Sequence, residues 1–340
     1  MIGKKKIRVA VNGCGRIGRA FIRQAMNDKS IDIVAINDLG SLENISYLLK
    51  YDSVYGRAPF TVETAPEALV LDGKRVRFVS QSDPTLLPWK EEHIDVVVES
   101  TGFFTDYEKA NAHIVAGARR VVISAPVKKE SELGATVLMG INEEKLSTCS
   151  ITSNASCTTN AASPVIAILD EVVGIEKAVL STTHGYTASQ SLVDGPSKKD
   201  IAEGRAAALN IVPTSTGAAI AVSQAYPKLL DKFDGISLRV PVPAGSIADI
   251  TFISKRPTTV EEINNALIRG AHEKRFAGLF SVTDEPIVSS DIVGMHYASI
   301  AQLTMTRVVD GTLVKVLAWY DNEAGYTHSL VEHVKKAAYE

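Results

Sequence analysis

Ile7-Arg8-Val9-Ala10-Val11-Asn12-Gly13-Cys14-Gly15-Arg16-Ile17-Gly18 is the stretch on which the fold turns. Ile7–Asn12 is an apolar run of strand length and Arg16–Asn27 reads as a helix, so three glycines occupy a strand-to-helix turn. Glycine there permits a tight turn, close approach of a pyrophosphate and close helix–strand packing, and the helix N-terminus offers free N–H groups. Alone the pattern is weak, because a bare turn uses glycine as well. Asp38 sharpens it. A second strand, Ile31–Asn37, ends just before this carboxylate, which stands twenty residues after Gly18, where it can accept both ribose hydroxyls of an adenosine. The same carboxylate repels a 2′-phosphate, so the cofactor expected is NAD rather than NADP.

Outward from this turn, short apolar strands alternate with helical stretches, the pattern of a parallel sheet covered by helices. Ser41–Lys50 reads as a helix, and the rhythm then breaks into short strands, Phe60–Glu63 and Val70–Val79, around an Asp72-Gly73 turn. It resumes with strand Ile94–Glu99, helix Tyr107–Ala116, and strands Val121–Ser124, Thr136–Gly140 and Ser150–Ser153. Beyond Cys157 the character changes. A helix to about Val173 and a strand Lys177–Thr183 lead into a polar stretch, Ala188–Asn210, too long for an idle loop in a compact domain. Helix Gly217–Leu230, strands Gly235–Val242 and Ile247–Ser254, and helix Val260–Glu273 follow. An Asp310-Gly311 hairpin then leads into Leu313–Tyr320, and an amphipathic helix, Gly325–Ala338, comes last. The expected class is α/β: a Rossmann-type, mostly parallel dinucleotide-binding domain and an α+β catalytic domain with a mixed or antiparallel sheet. The expected boundaries are 1–156 for the first domain, with helix 325–340 packing back on it, and 157–324 for the second.

The 340 residues suffice for two domains with real cores, and 45% of them are hydrophobic. With 36 Lys plus Arg against 39 Asp plus Glu, the formal charge is −3, so no global field favours nucleic acid or an anionic membrane. Any anion site must be local. Cys14, Cys149 and Cys157 are too few for a disulfide scaffold and lack zinc-ligand spacing, so no metal site is expected; a sparse, odd count fits a reducing compartment. After the basic start Met1–Lys6, the apolar run Ile7–Val11 is too short for a secretory core, and no stretch approaches the roughly 18 residues of a membrane span. A cytoplasmic protein is expected.

Cys157 lies in Ser153-Asn154-Ala155-Ser156-Cys157-Thr158-Thr159-Asn160, between a strand-like segment and a helix. A thiol at a helix N-terminus is acidified by the helix dipole and unpaired N–H groups, and the same terminus suits a phosphate oxygen. By that local argument alone, a buried and inert cysteine is the commoner outcome; Cys14 and Cys149 are read that way. His184 ends a strand beside Gly185, where an imidazole can pair with a thiolate and serve as acid or base. One histidine among seven is a weak case.

Taken together the motifs resemble the glyceraldehyde-3-phosphate dehydrogenase family over essentially the whole chain. The resemblance rests on Asn12–Arg19, Asn37-Asp38-Leu39, Ser100-Thr101-Gly102, Ser124-Ala125-Pro126 and the run around Cys157. It continues through His184 with Thr187, Asp194–Ser197, Thr214–Ala219, Arg239-Val240-Pro241 and Trp319–Glu323. It implies that Cys157 attacks the aldehyde of glyceraldehyde 3-phosphate to give a thiohemiacetal, with His184 as base. It further implies that oxidation by NAD leaves a thioester, which inorganic phosphate cleaves to 1,3-bisphosphoglycerate. Thr187 and Arg239 match the site for the substrate's own phosphate, and Ser156, Thr158, Thr216 and Gly217 the site for the attacking phosphate. On the cofactor side the resemblance covers Gly13, Gly15, Arg16, Ile17, Gly18, Asn37, Asp38, Thr101, Gly102, Ser124 and Asn322, the last orienting the nicotinamide amide. Residues 188–210 match an S-shaped interface loop, which implies a homotetramer.

Several positions depart from the family pattern. Ser191, Ala202 and Ile220 stand where basic residues are common, Ser82 replaces a basic residue and Ala324 a tryptophan. These put phosphate affinity and tetramer strength in question without removing a catalytic group. The competing readings are an erythrose-4-phosphate dehydrogenase, which shares the cysteine run, an aldehyde dehydrogenase that releases free acid, and a non-catalytic NAD-binding homologue.

Overall fold

The structure, a computed structural model, describes residues 5–129, 131–197 and 200–340. Residues 1–4 of the basic start and 198–199 of the polar stretch therefore lie outside the described residues. The chain forms two compact units, one of Met1–Val137, Glu143–Ala155 and Thr327–Glu340, the other of Leu138–Asn142 and Ser156–Tyr326.

The first unit begins β1 (Ile7–Asn12), α1 (Arg16–Ala25), β2 (Ile31–Asn37) and α2 (Leu42–Lys50), the last capped by the Ser41 side chain on Asn44 N–H. A small ribbon, β3 (Tyr51–Asp52) and β4 (Gly56–Arg57), precedes β5 (Val62–Ala65), β6 (Ala68–Leu71) and β7 (Lys74–Val79). Then come β8 (Val96–Glu99), α3 (Tyr107–Val115), β9 (Arg120–Ile123), β10 (Gly134–Thr136) and β11 (Ile151–Ser153). Nine described strands make one sheet in the order β10-β11-β9-β8-β1-β2-β7-β6-β5. From β10 to β7 every pairing is parallel, and the hairpins β7–β6–β5 finish it antiparallel. The central strands β1 and β8 are buried almost throughout, as strands covered on both faces should be. Their order reverses about β1, which carries the glycine turn at its carboxyl end.

The second unit opens with α4 (Cys157–Val172), then β12 (Ile175–Gly185), β13 (Val212–Ser215), α5 (Ala218–Ala225), β14 (Phe233–Val240), β15 (Ser246–Ser254) and α6 (Val260–Ala271). It closes with β16 (Phe280–Thr283), β17 (Ser299–Gln302), β18 (Arg307–Val309) and β19 (Leu313–Tyr320). Its sheet is mixed, in the order β13-β14-β12-β15-β19-β17-β16 with β18 on β19. α4, apolar nearly all round, is buried from Thr158 to Leu169 and runs unbroken through Pro164. Alternation along β15, inward positions buried and outward ones half-buried, shows that only one sheet face is covered by helices.

The last helix, α7 (Ala324–Ala337), lies in the first unit from Thr327 onward. His333 is fully buried there, with Nε2 2.8 Å from the Thr152 hydroxyl and Nδ1 3.0 Å from the Asn154 amide oxygen. Lys336 pairs with Glu143, and Lys335 with Asp28 at 3.1 Å.

Two elements differ from their sequence expectation. The strand expected over 136–140 is Gly134–Thr136, because the chain turns at Gly140, whose φ of +79° excludes an extended residue. The helix expected over 217–230 ends at Ala225, since Pro227 has no N–H to continue it, and a 3-10 turn, Pro227–Leu229, follows.

Candidate active site and cofactor cleft

In the first unit the three glycines do separate jobs. Gly13 has a φ of +94°, and a β-carbon there would lie 2.7 Å from Thr101 N. At Gly18 it would lie 2.0 Å from Gly13 O, so this glycine lets α1 pack against the turn. Gly15 has open space beside it and caps α1 with no side chain, leaving the first N–H groups of the helix for a ligand.

Gly13 and Gly15 border a cavity of about 530 Å³, also lined by Asn37, Asp38 and Thr101. Asp38 is oriented by the chain itself, its Oδ2 accepting Cys14 N–H at 2.6 Å and its Oδ1 Gly40 N–H at 2.7 Å. Each oxygen keeps a second lone pair for a ribose hydroxyl. Asn37 donates to Asn12 Oδ1 and to Gln81 O, and accepts Gln81 N–H at 2.9 Å. Arg16 reaches Asp52 instead, and neither it nor Ile17, Gly18, Gly102 or Ser124 lines the cavity. Open glycine space, an uncapped helix start and an aimed carboxylate fit a dinucleotide.

Sequence reading had not assigned Gln81, Phe103 or Phe104 to this cleft, all of which line it. It also missed the polar chain beneath. Glu99, buried on β8, accepts Asn12 Nδ2 at 2.6 Å, Thr101 N–H at 2.8 Å and His113 Nε2 at 3.0 Å. Trp89 Nε1 donates to His113 Nδ1 at 3.0 Å, so the ring hydrogen of His113 sits on Nε2 and points at Glu99. A buried Trp, His and Glu in apolar segments were the available signal.

In the second unit Cys157 is the first residue of α4, and Ser156 is its N-cap, the hydroxyl accepting Thr159 N–H at 3.0 Å. Parallel pairing of β12 with β14 sets His184 beside Arg239 on the covered face. Cys157 Sγ lies 3.3 Å from His184 Nε2. His184 Nδ1 lies 2.7 Å from Gly185 O and 2.6 Å from Arg239 Nη1. Tyr320 stands edge-on to the imidazole, 5.8 Å between centroids, and its hydroxyl bonds Thr158 Oγ1 at 2.9 Å and Thr182 Oγ1 at 2.7 Å. Thr158 therefore turns its hydroxyl into the core.

Burial pushes the Cys157 thiol up, against the lowering influences of Arg239, of Thr158 and of its own N–H. This opposes the acid thiol that the helix dipole alone suggests. Burial and then Arg239 push His184 down to about 3. Burial thus favours the neutral form of both groups. Cys14 is buried and pushed up further by burial and by Asp38, whereas Cys149 is partly exposed against Lys145 O.

The remaining residues expected at an anion site belong to the same unit. Thr187 Oγ1 lies 3.0 Å from Ser189 Oγ, and Thr216 Oγ1 accepts Ala218 N–H at 3.2 Å where Gly217 is the N-cap of α5. Asn322 is buried, its Oδ1 held by Gly245 N–H and the Ser246 hydroxyl. Of the substituted positions, Ile220 is 58% exposed on α5, so its loss of charge costs no buried partner.

Residues 7–107 match the family model described as the NAD binding domain of glyceraldehyde 3-phosphate dehydrogenase, and residues 156–322 match its C-terminal domain. The chain is 45% identical over 329 residues to a glyceraldehyde-3-phosphate dehydrogenase of Clostridium acetobutylicum, covering 95% of this chain and 96% of that one. It is 45% identical over 336 residues to one of Mycobacterium avium, covering 96% and 97%. A chloroplastic one of Arabidopsis thaliana is 45% identical over 335 residues, covering 97% of this chain and 83% of that one.

Proposed function

Since the chain belongs to the glyceraldehyde-3-phosphate dehydrogenase family, we propose that Cys157 is its nucleophile and His184 the base that serves it. The protein is an NAD-dependent oxidoreductase of glycolysis that acts on glyceraldehyde 3-phosphate with inorganic phosphate. The observation that carries the residue assignment is the 3.3 Å approach of Sγ to His184 Nε2 at the start of α4.

The thiol's proton passes to the imidazole as sulfur adds to the aldehyde carbon, giving a thiohemiacetal whose oxygen the Cys157 N–H can stabilise. Gly13, Gly15, Asn37, Asp38 and Thr101 would hold NAD, which would supply the hydride acceptor needed for this adduct to become a thioester. Asn322 is assigned to the cofactor's carboxamide on the resemblance alone. Arg239 and Thr187 hold the substrate's phosphate, a guanidinium fork suiting that oxyanion. Ser156, Thr158, Thr216 and Gly217 present the attacking phosphate, Thr158 through its main-chain N–H because its hydroxyl is spent on Tyr320. The thioester conserves oxidation energy that direct hydrolysis would lose, and phosphate carries it away as an acyl phosphate.

We also propose a homotetramer in the cytoplasm. The uncovered face of the second unit's sheet supports the assembly: Val179, Ile236 and Leu313 stand 59%, 53% and 42% exposed. So does the polar stretch, where Leu192, Val193, Ile201 and Leu209 are each more than 70% exposed. Three free thiols support the reducing compartment. Among the described residues no helix is long and apolar enough to cross a membrane.

The test is NADH formation from glyceraldehyde 3-phosphate with phosphate or arsenate. Cys157→Ser abolishes it and His184→Asn lowers kcat by about 10²–10⁴-fold; normal turnover in Cys157→Ser would sink the mechanism. Erythrose 4-phosphate, run in parallel, turns over more slowly if the assignment to glyceraldehyde 3-phosphate holds.

A further inference from the structure

We propose that Glu99 is a positioning residue for the cofactor: its one buried carboxylate fixes two separate stretches of the cleft's lining. This goes beyond the assignment of the cleft to NAD, on which it rests.

Strand register sets three polar side chains in a row at the carboxyl ends of the strands. Asn12 of β1 stands opposite Glu99 of β8 on one side and Asn37 of β2 on the other. All three are buried, and Asn12 and Asn37 also line the cavity, as does Gln81. The direction of each hydrogen bond in the row follows from its ends. Gln81 N–H can only donate, and it donates to Asn37 Oδ1 at 2.9 Å. Asn37 therefore turns its amino group to Asn12 Oδ1 at 2.7 Å and to Gln81 O at 2.9 Å. Asn12 is left to turn its own amino group to Glu99 Oε2, 2.6 Å away.

The other neighbours of Glu99 donate as well. Trp89 Nε1 donates to His113 Nδ1 at 3.0 Å, so the ring hydrogen on Nε2 meets Glu99 Oε2 at 3.0 Å. Thr101 N–H meets Oε1 at 2.8 Å. The Thr101 hydroxyl accepts Phe103 N–H at 3.1 Å and donates to that same Oε1. Four donors thus converge on one side chain, and only a carboxylate accepts at both oxygens. Thr101 and Phe103 line the cavity too, so Glu99 sets the turn after β8 together with the ends of β1 and β2. The turn has little freedom to drift, since a β-carbon on Gly13 would already lie 2.7 Å from Thr101 N.

Glu99→Gln keeps the volume and breaks the pattern. An amide turned toward Thr101 opposes a main-chain N–H with an amino group, and the turn must move. Turned the other way, it opposes the Asn12 amino group. Asn12 can rotate only by setting its amino group against that of Asn37, whose orientation Gln81 N–H dictates. The mismatch travels along the row and is not removed. Exchanging the two groups removes it. With Asn12→Asp added, the carboxylate on β1 accepts from Asn37, from the new amide and from His113 Nε2, which lies 3.4 Å from the Asn12 amino nitrogen. The amide oxygen keeps both Thr101 bonds, and the buried charge stays the same. Asn12→Asp alone sets two carboxylates where amide and carboxylate now meet at 2.6 Å.

The experiment is calorimetric titration of NAD into wild type, Glu99→Gln, Asn12→Asp and the double variant, with a thermal melt of each. Each single variant should bind NAD about tenfold to a hundredfold more weakly, the effect of a buried polar group left without its partner. The double variant should bind about tenfold or more tightly than either single one, which a role in packing alone does not predict. Steady-state rates should place the loss in KM for NAD and leave KM for glyceraldehyde 3-phosphate at saturating NAD unchanged. Wild-type affinity in Glu99→Gln overturns the proposal, as does a double variant no better than the singles. Where a single variant does not fold, a folded double variant that binds NAD supports the row, and an unfolded one overturns it. Undiminished NAD binding in Asp38→Ala would instead overturn the cleft as the cofactor's site.

Discussion

Gly13, Gly15 and Gly18 belong to one motif, yet their substitution should fail in three different ways. A methyl at Gly18 meets a carbonyl oxygen 2.0 Å away on neighbouring backbone, so α1 must shift from the turn. Gly13→Ala combines a clash with a left-handed φ of +94°, a strain of about 1–3 kcal/mol before any packing loss. Gly15→Ala meets nothing within the protein. Gly18→Ala and Gly13→Ala should therefore lower the thermal midpoint, while Gly15→Ala keeps it and weakens NAD by crowding the ligand alone. Thermal melts beside calorimetric NAD titrations check this; an equal drop in midpoint for all three would refute the division of roles. At Cys157 the same scale shows competing effects: the helix start favours a thiolate, burial disfavours it, and burial is the larger.

At the scale of elements, α7 is held to β11 and its following turn by buried polar contacts, Asn154 donating to the Ser329 hydroxyl at 3.2 Å and His333 bridging two groups. His333 takes the Thr152 hydroxyl on one nitrogen and Asn154 on the other, and burial followed by the nearby Lys336 pushes it down to about 3. In the unfolded chain a histidine titrates near 6.5, so between about 6.5 and 3 the unfolded state binds more protons than the folded one. Stability is then present above about pH 6.5 and is lost as pH falls through that window. Going from pH 6.5 to pH 5 should cost about 2 kcal/mol from this group. His333→Gln, which keeps a donor and an acceptor, should flatten the acid-side slope of unfolding free energy measured by urea denaturation at pH 7 and pH 5. An unchanged slope would remove His333 from the account. Asn154 leads into Ala155, a non-glycine residue at φ +53°, so this clamp also steadies a strained turn.

For the whole molecule, the second unit's sheet leaves an apolar cavity of about 790 Å³ on its outer face, with Val179, Ile220 and Leu230 among its lining. A charge there should cost little within one chain and much in an interface. Ile236→Glu, more than half exposed, is expected to keep the melting behaviour of the monomer fold while lowering the mass seen by light scattering below that of four chains. A tetramer of undiminished strength would show that this face does not assemble. The substitutions at Ser191 and Ala202 fall in the exposed stretch, so salt dependence of assembly should be weak.

Much of this was legible in the chain because its signals are local. A strand, three glycines and an aspartate twenty residues on lie within one βαβ unit, and a helix start next to a cysteine is written in consecutive residues. The parallel and mixed sheets follow from alternation, and the two elements misjudged, at Gly140 and Pro227, were ended by backbone preferences of single residues that periodicity overlooks. What sequence could not supply were contacts made by strand register across long separations. His184 meets Arg239 because β12 pairs in parallel with β14, and Glu99 meets Asn12 because β8 pairs in parallel with β1. Burial was equally hidden, since the desolvation that keeps Cys157 and His184 neutral depends on the whole covering of α4 and the sheet. The identity of the chemistry is thus a property of the sequence, and the protonation state in which it waits is a property of the fold.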